Sequence, residues 1–370
     1  MDLRDERDLA LDQLGALAKI SYKEDYKGVV TVKLEDEYFV DELNTYEIGK
    51  KTDKLTGFIT PYWPQLSDTD RDIYVNVFDF NVDISTALNS DVGELKALIM
   101  SRGDHWADYS DIEGKGEQEY LDTTNLSVII DMQAKLVQMV HYMITEINDQ
   151  SCPIVTGPVG VTYQDANGNT VNLSDAKVLD TENCARGSDG ELPPRELFVR
   201  AGIERYTEVT GSDGKTYYVY NEEDTSDTSY MYSLTSCGVN EDLKKIETLF
   251  PHLKQNGEVD QQLGERLEAL WNKDLVGLDP TDPDECNIEE YYQKMIGGLA
   301  TVGNVYQKKA ENLAGSVLTI ENNRQQVIGV SSDEELQNMI KFQNAYNASS
   351  RFMTVISDMI EHIVTRLGNG

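Results

Sequence analysis

The sequence predicts an α+β chain. The expected architecture is elongated and multi-domain, with a helical bundle or coiled-coil core drawn from both ends and β-rich domains inserted between them. Three observations carry this. Residues 287–367 repeat apolar side chains at heptad spacing, with no proline after Pro283. Residues 22–85 alternate apolar and polar at period two. Residues 150–238 change texture to Gly, Asp, Asn, Thr and Ser.

Residues 2–20 read as one helix, with Asp2 as N-cap. Leu3, Ala10, Leu11, Leu14, Leu17 and Ala18 fall on one stripe, and acidic residues crowd the first turns, where the helix dipole favours them. Residues 22–85 read as a small β module: Val30, Val32 and Leu34 alternate with polar neighbours, and Gly49, Gly57, Pro61 and Pro64 punctuate. A short helix over 91–103 turns Leu95, Leu98 and Ile99 inward and stops at Gly103. A long helix over 123–148 carries the stripe Leu126, Ile129, Ile130, Leu136, Val137, Val140, Met143, Ile144 and Ile147.

Two hairpins stand out in the turn-rich stretch, 161–173 around Ala166-Asn167-Gly168-Asn169 and 206–220 around Ser212-Asp213-Gly214. An insertion of this texture is expected to leave and re-enter the scaffold at its surface, and so to be accessory. Residues 240–272 return to helix, interrupted at Pro251 and Gly257.

From 287 the chain is almost wholly helical. Tyr292, Leu299, Tyr306, Leu313, Ile320 and Val327 keep a seven-residue repeat up to a break at Gly329. Ser332 and Glu335 form a capping box that starts the last helix. There Met339, Tyr346, Met353, Ile360 and Leu367 hold one heptad position, and Phe342, Ser349, Ile356 and Ile363 the other. Sustained heptads mean a seam for another helix. Its partner is either outside the chain or the 292–327 helix folded back. The expected division is 1–20, 86–148 and 240–330 for a helical core, 21–85 for the β module, 149–239 for the insertion and 331–370 for the coiled-coil helix.

Composition narrows the function. The 370 residues carry 32 Lys and Arg against 66 Asp and Glu, a net charge of −34. Such a surface repels phosphate, which excludes a nucleic-acid binder and argues against docking on anionic lipid. Apolar residues make up 39%, enough for thin cores, and Tyr dominates the aromatics. No apolar run is long enough to span a membrane. The charged start, Met1 to Asp8, has no basic-then-apolar signal pattern. Cys152, Cys184, Cys237 and Cys286 contain no CxxC pair, which excludes a zinc ribbon or thioredoxin-type motif.

Apparent chemistry dissolves on inspection. Gly211 to Thr216 looks like the end of a phosphate-binding loop, but Val209 stands where its first glycine belongs. Asp165 to Asn169 hints at a calcium loop, but Thr170 and Ala176 occupy the positions for Gly and Glu. His105, His141, His252 and His362 share no helical face, and a packing role suits His141 best. No catalytic pattern stands in a matching context, so no catalytic residue, metal or cofactor is expected.

A family resemblance adds to this. Gly329-Val330-Ser331-Ser332-Asp333-Glu334-Glu335-Leu336, followed by Met339 to Arg351 (MIKFQNAYNASSR), resembles the C-terminal signature of the flagellar rod/hook axial family. Asp2 to Leu9 (DLRDERDL) resembles the leading helix of one hook-associated member of that family. The later order is similar too: a β module, Gly93 to Leu98, then a long helix ending Glu146-Ile147-Asn148. The resemblance covers both ends and leaves 150–238 unmatched. It implies a non-catalytic structural subunit of the bacterial flagellum, forming a ring that joins hook to filament. The implied partners are further copies of the chain, the hook protein, a second hook–filament junction protein and a flagellar export chaperone. The implied location is extracellular, reached by type III export without a cleaved signal. Met339, Phe342, Tyr346, Met353, Ile356, Ile360, Ile363 and Leu367 are the expected packing residues of the tube wall. The resemblance also implies a leading segment before this helix, and Met1 stands where that segment would end, so the chain is expected to lack it. Two alternatives stay open: another axial component (second junction protein, hook or cap), or an acidic secreted calcium-dependent adhesin using 150–238.

Overall fold

The computed structural model describes residues 3–54, 56–79, 92–166, 168–328 and 332–367. Helices and small antiparallel sheets are both present, so the mixed α+β class holds. The chain divides into two compact units, Met1–Leu299 and Ala300–Gly370.

The first unit opens with α1 (Leu3–Leu17), with Asp5 and Glu6 in its first turn. The expected cap Asp2 lies outside the described residues. Near the end of α1, Leu14 and Ala18 meet a core of Leu34, Trp63, Val77, Phe78 and Ile99. Leu3 and Leu17 of the predicted stripe face outward. Strands β1 (Ile20–Glu24), β2 (Val30–Leu34) and β3 (Glu37–Val40) form an antiparallel meander. Ile20 opposes Leu34 and Tyr22 opposes Val32. The β2–β3 turn is Glu35-Asp36, with φ of 49° and 70°, the left-handed pair a two-residue hairpin needs. A second hairpin pairs β4 (Gly49–Thr52) with β5 (Ile59–Tyr62).

Helix α2 (Glu94–Arg102) corrects the predicted inward face. Lys96, Ile99 and Met100 are buried, while Leu95 and Leu98 point outward. The reason is electrostatic: Lys96 Nζ reaches the Glu35 carboxylate at 3.3 Å, and both side chains are buried. That pair fixes the roll of the helix. Gly103 ends it at φ 78°, donating its N–H to the Ile99 carbonyl.

After α3 (Glu117–Asp122), helix α4 (Val128–Ser151) is the axis of this unit. Ser127 caps it, its hydroxyl accepting from Ile130 N at 3.2 Å. The predicted stripe is rotated. Ile129 and Leu136 are exposed, whereas Ala134, Lys135, Gln138, His141, Asn148 and Ser151 join Ile130, Val137 and Ile144 inside.

Eight short strands follow: β6 (Ile154–Thr156), β7 (Thr162–Gln164), β8 (Thr170–Asn172), β9 (Lys177–Leu179), β10 (Phe198–Arg200), β11 (Tyr206–Thr210), β12 (Thr216–Tyr220) and β13 (Cys237–Val239). The main sheet runs β11-β12-β9-β6, and β7–β8 and β10–β13 pair separately. Both predicted hairpins form, as β7–β8 and β11–β12. The strand region also packs against α4. Met231 and Tyr232 are fully buried, and Met231 packs with Tyr109 and Val137 in one cluster. Asn148 of α4 accepts from the N–H groups of Leu197 and Phe198 and donates to the Phe198 carbonyl. Helix α4 and the strand region therefore share a core.

Two short helices, α5 (Glu241–Lys245) and α6 (Gln261–Ala269), precede α7 (Ile288–Ile328). Tyr291 and Met295 of α7 pack with Leu278 and Cys286 in the first unit. The second unit holds the rest of α7 and α8 (Ser332–Leu367). The predicted break at Gly329 lies outside the described residues. All four cysteines are free thiols.

Candidate assembly surface and polar interior

The sequence directs attention to α8, and its side chains are described from Asp333 to His362. Asp333, Glu334 and Glu335 fill its first turn, where they complement the dipole. The cap Ser332 opens the helix, but its side chain lies outside the described ones, as do those of Ile363 and Leu367. Along one heptad position Met339, Tyr346, Met353 and Ile360 are all more than half exposed; Tyr346 reaches 75%. Phe342, at the other position, is 74% exposed, and Ile356 is half-buried. Tyr306, Leu313 and Ile320 of α7 are likewise exposed. A folded-back pairing of the two helices would cover these rows, and neither is covered.

Sequence reasoning missed a second apolar row. Phe352 and Met359, seven residues apart and each one place before a seam residue, are also exposed, as is Val355. The signal was in the sequence as a second heptad phase. A helix with two adjacent apolar phases suits contact with more than one neighbour, as in a bundle or tube wall.

Charge distinguishes the units. Residues 300–370 carry six basic and seven acidic residues, so all but one of the 34 net negative charges lie in the first unit. Self-repulsion between copies of α8 is therefore small.

Several buried titratable groups of the first unit are held in hydrogen-bond networks. Lys135 Nζ lies 2.9 Å from both Asp131 and Asp279. Tyr120 donates its hydroxyl to Asp131. Arg205 bonds Asp149, and its guanidinium also donates to the hydroxyls of Tyr206 and Tyr232. Tyr232 donates to Glu196 at 2.5 Å. Burial raises the Glu196 carboxyl above its ordinary pKa despite the bond from Tyr232 and the nearby Arg205.

His141 has the packing role expected of it. Its ring stacks on Tyr109 with centroids 3.8 Å apart, and burial pushes its pKa down. His105 is different: one nitrogen bonds Asp104 at 2.6 Å and the other Asp111 at 3.1 Å. These two carboxylates raise it to about 10. His252 donates its Nδ1–H to the Phe250 carbonyl at 2.6 Å, and His362 sits on α8.

The loop ending at Thr216 is a plain hairpin turn: Gly211 N donates to the Lys215 carbonyl and Gly214 N to that of Gly211. Asp165 likewise serves a turn, accepting from Asn169 N at 2.7 Å. Among the described residues no group of three His, Cys, Asp or Glu is placed to hold a metal ion. No described helix is long and apolar enough to cross a membrane.

Two similarities to known proteins are found, one of them located on α8. Residues 324–366, the end of α7 through α8, match the family described as flagellar basal body rod FlgEFG protein, C-terminal. A stretch of 96 residues is 33% identical to flagellar hook-associated protein 1 of Bacillus subtilis (strain 168). It covers 26% of this chain and only 19% of the relative's length. Both matches are to flagellar axial proteins, and each covers only part of this chain.

Proposed function

We propose that the chain is a non-catalytic structural subunit of the bacterial flagellum, placed in a ring at the hook–filament junction. Its neighbours there are further copies of itself, the hook protein and a second junction protein. It reaches that place by flagellar export, with an export chaperone. The observation that carries the reading is α8: a helical unit with nearly balanced charge presents two apolar heptad rows to solvent, on the residues similar to the axial family's C-terminal region. Burying each of those large side chains is worth about 1.5–3 kcal/mol, which an axial assembly supplies and the isolated chain does not. The acidic first unit suits an outward, solvated position. Met339, Phe342, Tyr346, Met353, Ile356, Ile360, Ile363 and Leu367 are the proposed packing residues.

The test is incorporation in the flagellated source cell. Immunogold labelling of the wild-type chain is expected at the junction. Tyr346→Asp with Met353→Asp is expected to leave hooks without filaments and release the subunit into the medium. Label elsewhere on the flagellum, or normal filaments on the double variant, would refute the junction role.

A further inference from the structure

The outward face of α2 continues into an apolar patch. Leu95, Leu98 and Arg102 recur at spacings of three and four, so they share one side of the helix. Arg102 does not break the patch. Its guanidinium carbon lies 4.5 Å from the centre of the Phe58 ring, and its Nη1 donates to the Ile59 carbonyl at 3.2 Å. Phe58 in turn meets Trp106, with ring centroids 5.6 Å apart. Leu98 is 61% exposed and Trp106 53%, and Leu95 and Ile59 are exposed too. Large apolar side chains gathered on a surface in this way mark an interaction site. No residue of this face belongs to the rows of α8.

Charge selects the partner. Asp53 and Glu94 put exposed carboxylates next to the patch: Asp53 N donates to the Phe58 carbonyl at 2.9 Å, and Glu94 stands one helical turn before Leu98. The nearby cations are turned inward or matched, Arg102 onto Phe58 and Ile59, and His105 between Asp104 and Asp111. The first unit carries all but one of the 34 net negative charges, so the first unit of a second copy is repelled. Helix α8 of a second copy is a poor occupant as well, since acidic residues outnumber basic ones in it. We propose that this face docks an amphipathic helix of another protein. Apolar side chains at helical spacing would cover Leu95, Leu98 and Trp106, with lysine or arginine along the flanks.

The probe is a labelled peptide of leucine and lysine with its leucines on one helical face, read by fluorescence anisotropy at physiological ionic strength. The receptor is the full chain carrying Tyr346→Asp and Met353→Asp, which spoils the rows of α8 as competing sites. Saturable binding is expected. A scrambled peptide of the same composition keeps the charge and loses the face; it and a leucine–glutamate peptide are each expected to bind at least tenfold more weakly. Adding Leu98→Asp is expected to weaken the probe at least tenfold, with an unchanged helix melting curve, because Leu98 is exposed. The added carboxylate would by charge alone strengthen a cationic peptide, so the loss reports the apolar contact. A scrambled or glutamate peptide binding as tightly, or a folded Leu98→Asp chain binding as well, would overturn the proposal. So would a loss of self-association when Leu98→Asp stands alone in the wild-type chain, because a second copy would then be the occupant.

Discussion

The Lys135 ammonium sits 2.9 Å from the Asp279 carboxylate, tying the middle of α4 to the Pro/Asp loop before α7. Asp131 holds the same ammonium from the preceding helical turn, and Tyr120 donates to both carboxylates. Lys135→Met would leave the Asp131 and Asp279 carboxylates without their shared ammonium, Asp279 keeping the donors of Thr281 and Asp282. Loss of one partner from such a network costs about 3–5 kcal/mol. Urea unfolding should show a loss of that size, with part of it recovered when Asp279→Asn is added. A change below about 1 kcal/mol would mean that water already screens the pair.

His105 makes stability pH-dependent on the alkaline side. Its folded pKa is raised to about 10 by Asp104 and then Asp111, above the ordinary 6.5. The unfolded chain therefore releases that proton first. The stabilisation is complete below about pH 6.5 and is lost as the pH rises through 10. The melting temperature of the wild type should exceed that of His105→Gln most at pH 6, and the gap should close by pH 10–11. A gap independent of pH would exclude the imidazolium clamp. His141 acts in the opposite sense: burial lowers its pKa, so its contribution is present above about pH 6.5 and fades on acidification.

Gly103 is replaceable by no L residue without strain. Its φ is 78°, and an added Cβ would stand 2.1 Å from Ile130 Cδ1, the first buried residue of α4. Both the left-handed backbone and the clash oppose Gly103→Ala. A loss of about 2–4 kcal/mol is expected by denaturant unfolding. Wild-type stability in this variant would show that α2 and α4 separate freely.

Solvent-facing apolar rows on α8 should make the chain self-associate. Sedimentation velocity is expected to show mass rising with concentration in the wild type. Tyr346→Asp with Met353→Asp should stay monomeric, because each aspartate would have to be buried in the contact. Equal association of the two proteins would place the adhesive surface elsewhere.

Cys152, Cys184 and Cys286 contribute as buried apolar groups, and Cys237 is half-buried. They are free thiols, and burial pushes Cys152 and Cys237 up to about 12. Reducing agent should leave the melting temperature unchanged, and a thiol reagent at pH 8 should label the native chain far more slowly than the unfolded one. A fall of about 10 °C on reduction would instead indicate a disulfide of 2–4 kcal/mol.

Much of the local structure was already written in the sequence. The heptads of α7 and α8, the β7–β8 and β11–β12 hairpins and the stop at Gly103 are set by neighbours a few residues apart, through side-chain period, turn chemistry and φ. The candidate surface on α8 was legible for the same reason, since an unpartnered helix keeps its sequence pattern unmodified by packing. Its second row, Phe352 and Met359, was there to be read as another phase of the repeat. What the tertiary structure alone decided is which face of a helix goes inside. Apolar counting chose Ile99, Ile130, Val137 and Ile144 correctly, but it also chose Leu95, Leu98, Ile129 and Leu136, which are exposed, and passed over Lys96, Lys135, His141 and Asn148, which are buried. Their partners are Glu35, Asp279, Tyr232 and the Leu197–Phe198 backbone, all distant in sequence. A polar side chain belongs in a core only when its hydrogen bonds are met there, and whether they are met depends on residues that folding brings together. The same long-range pairing joins the strand region to α4.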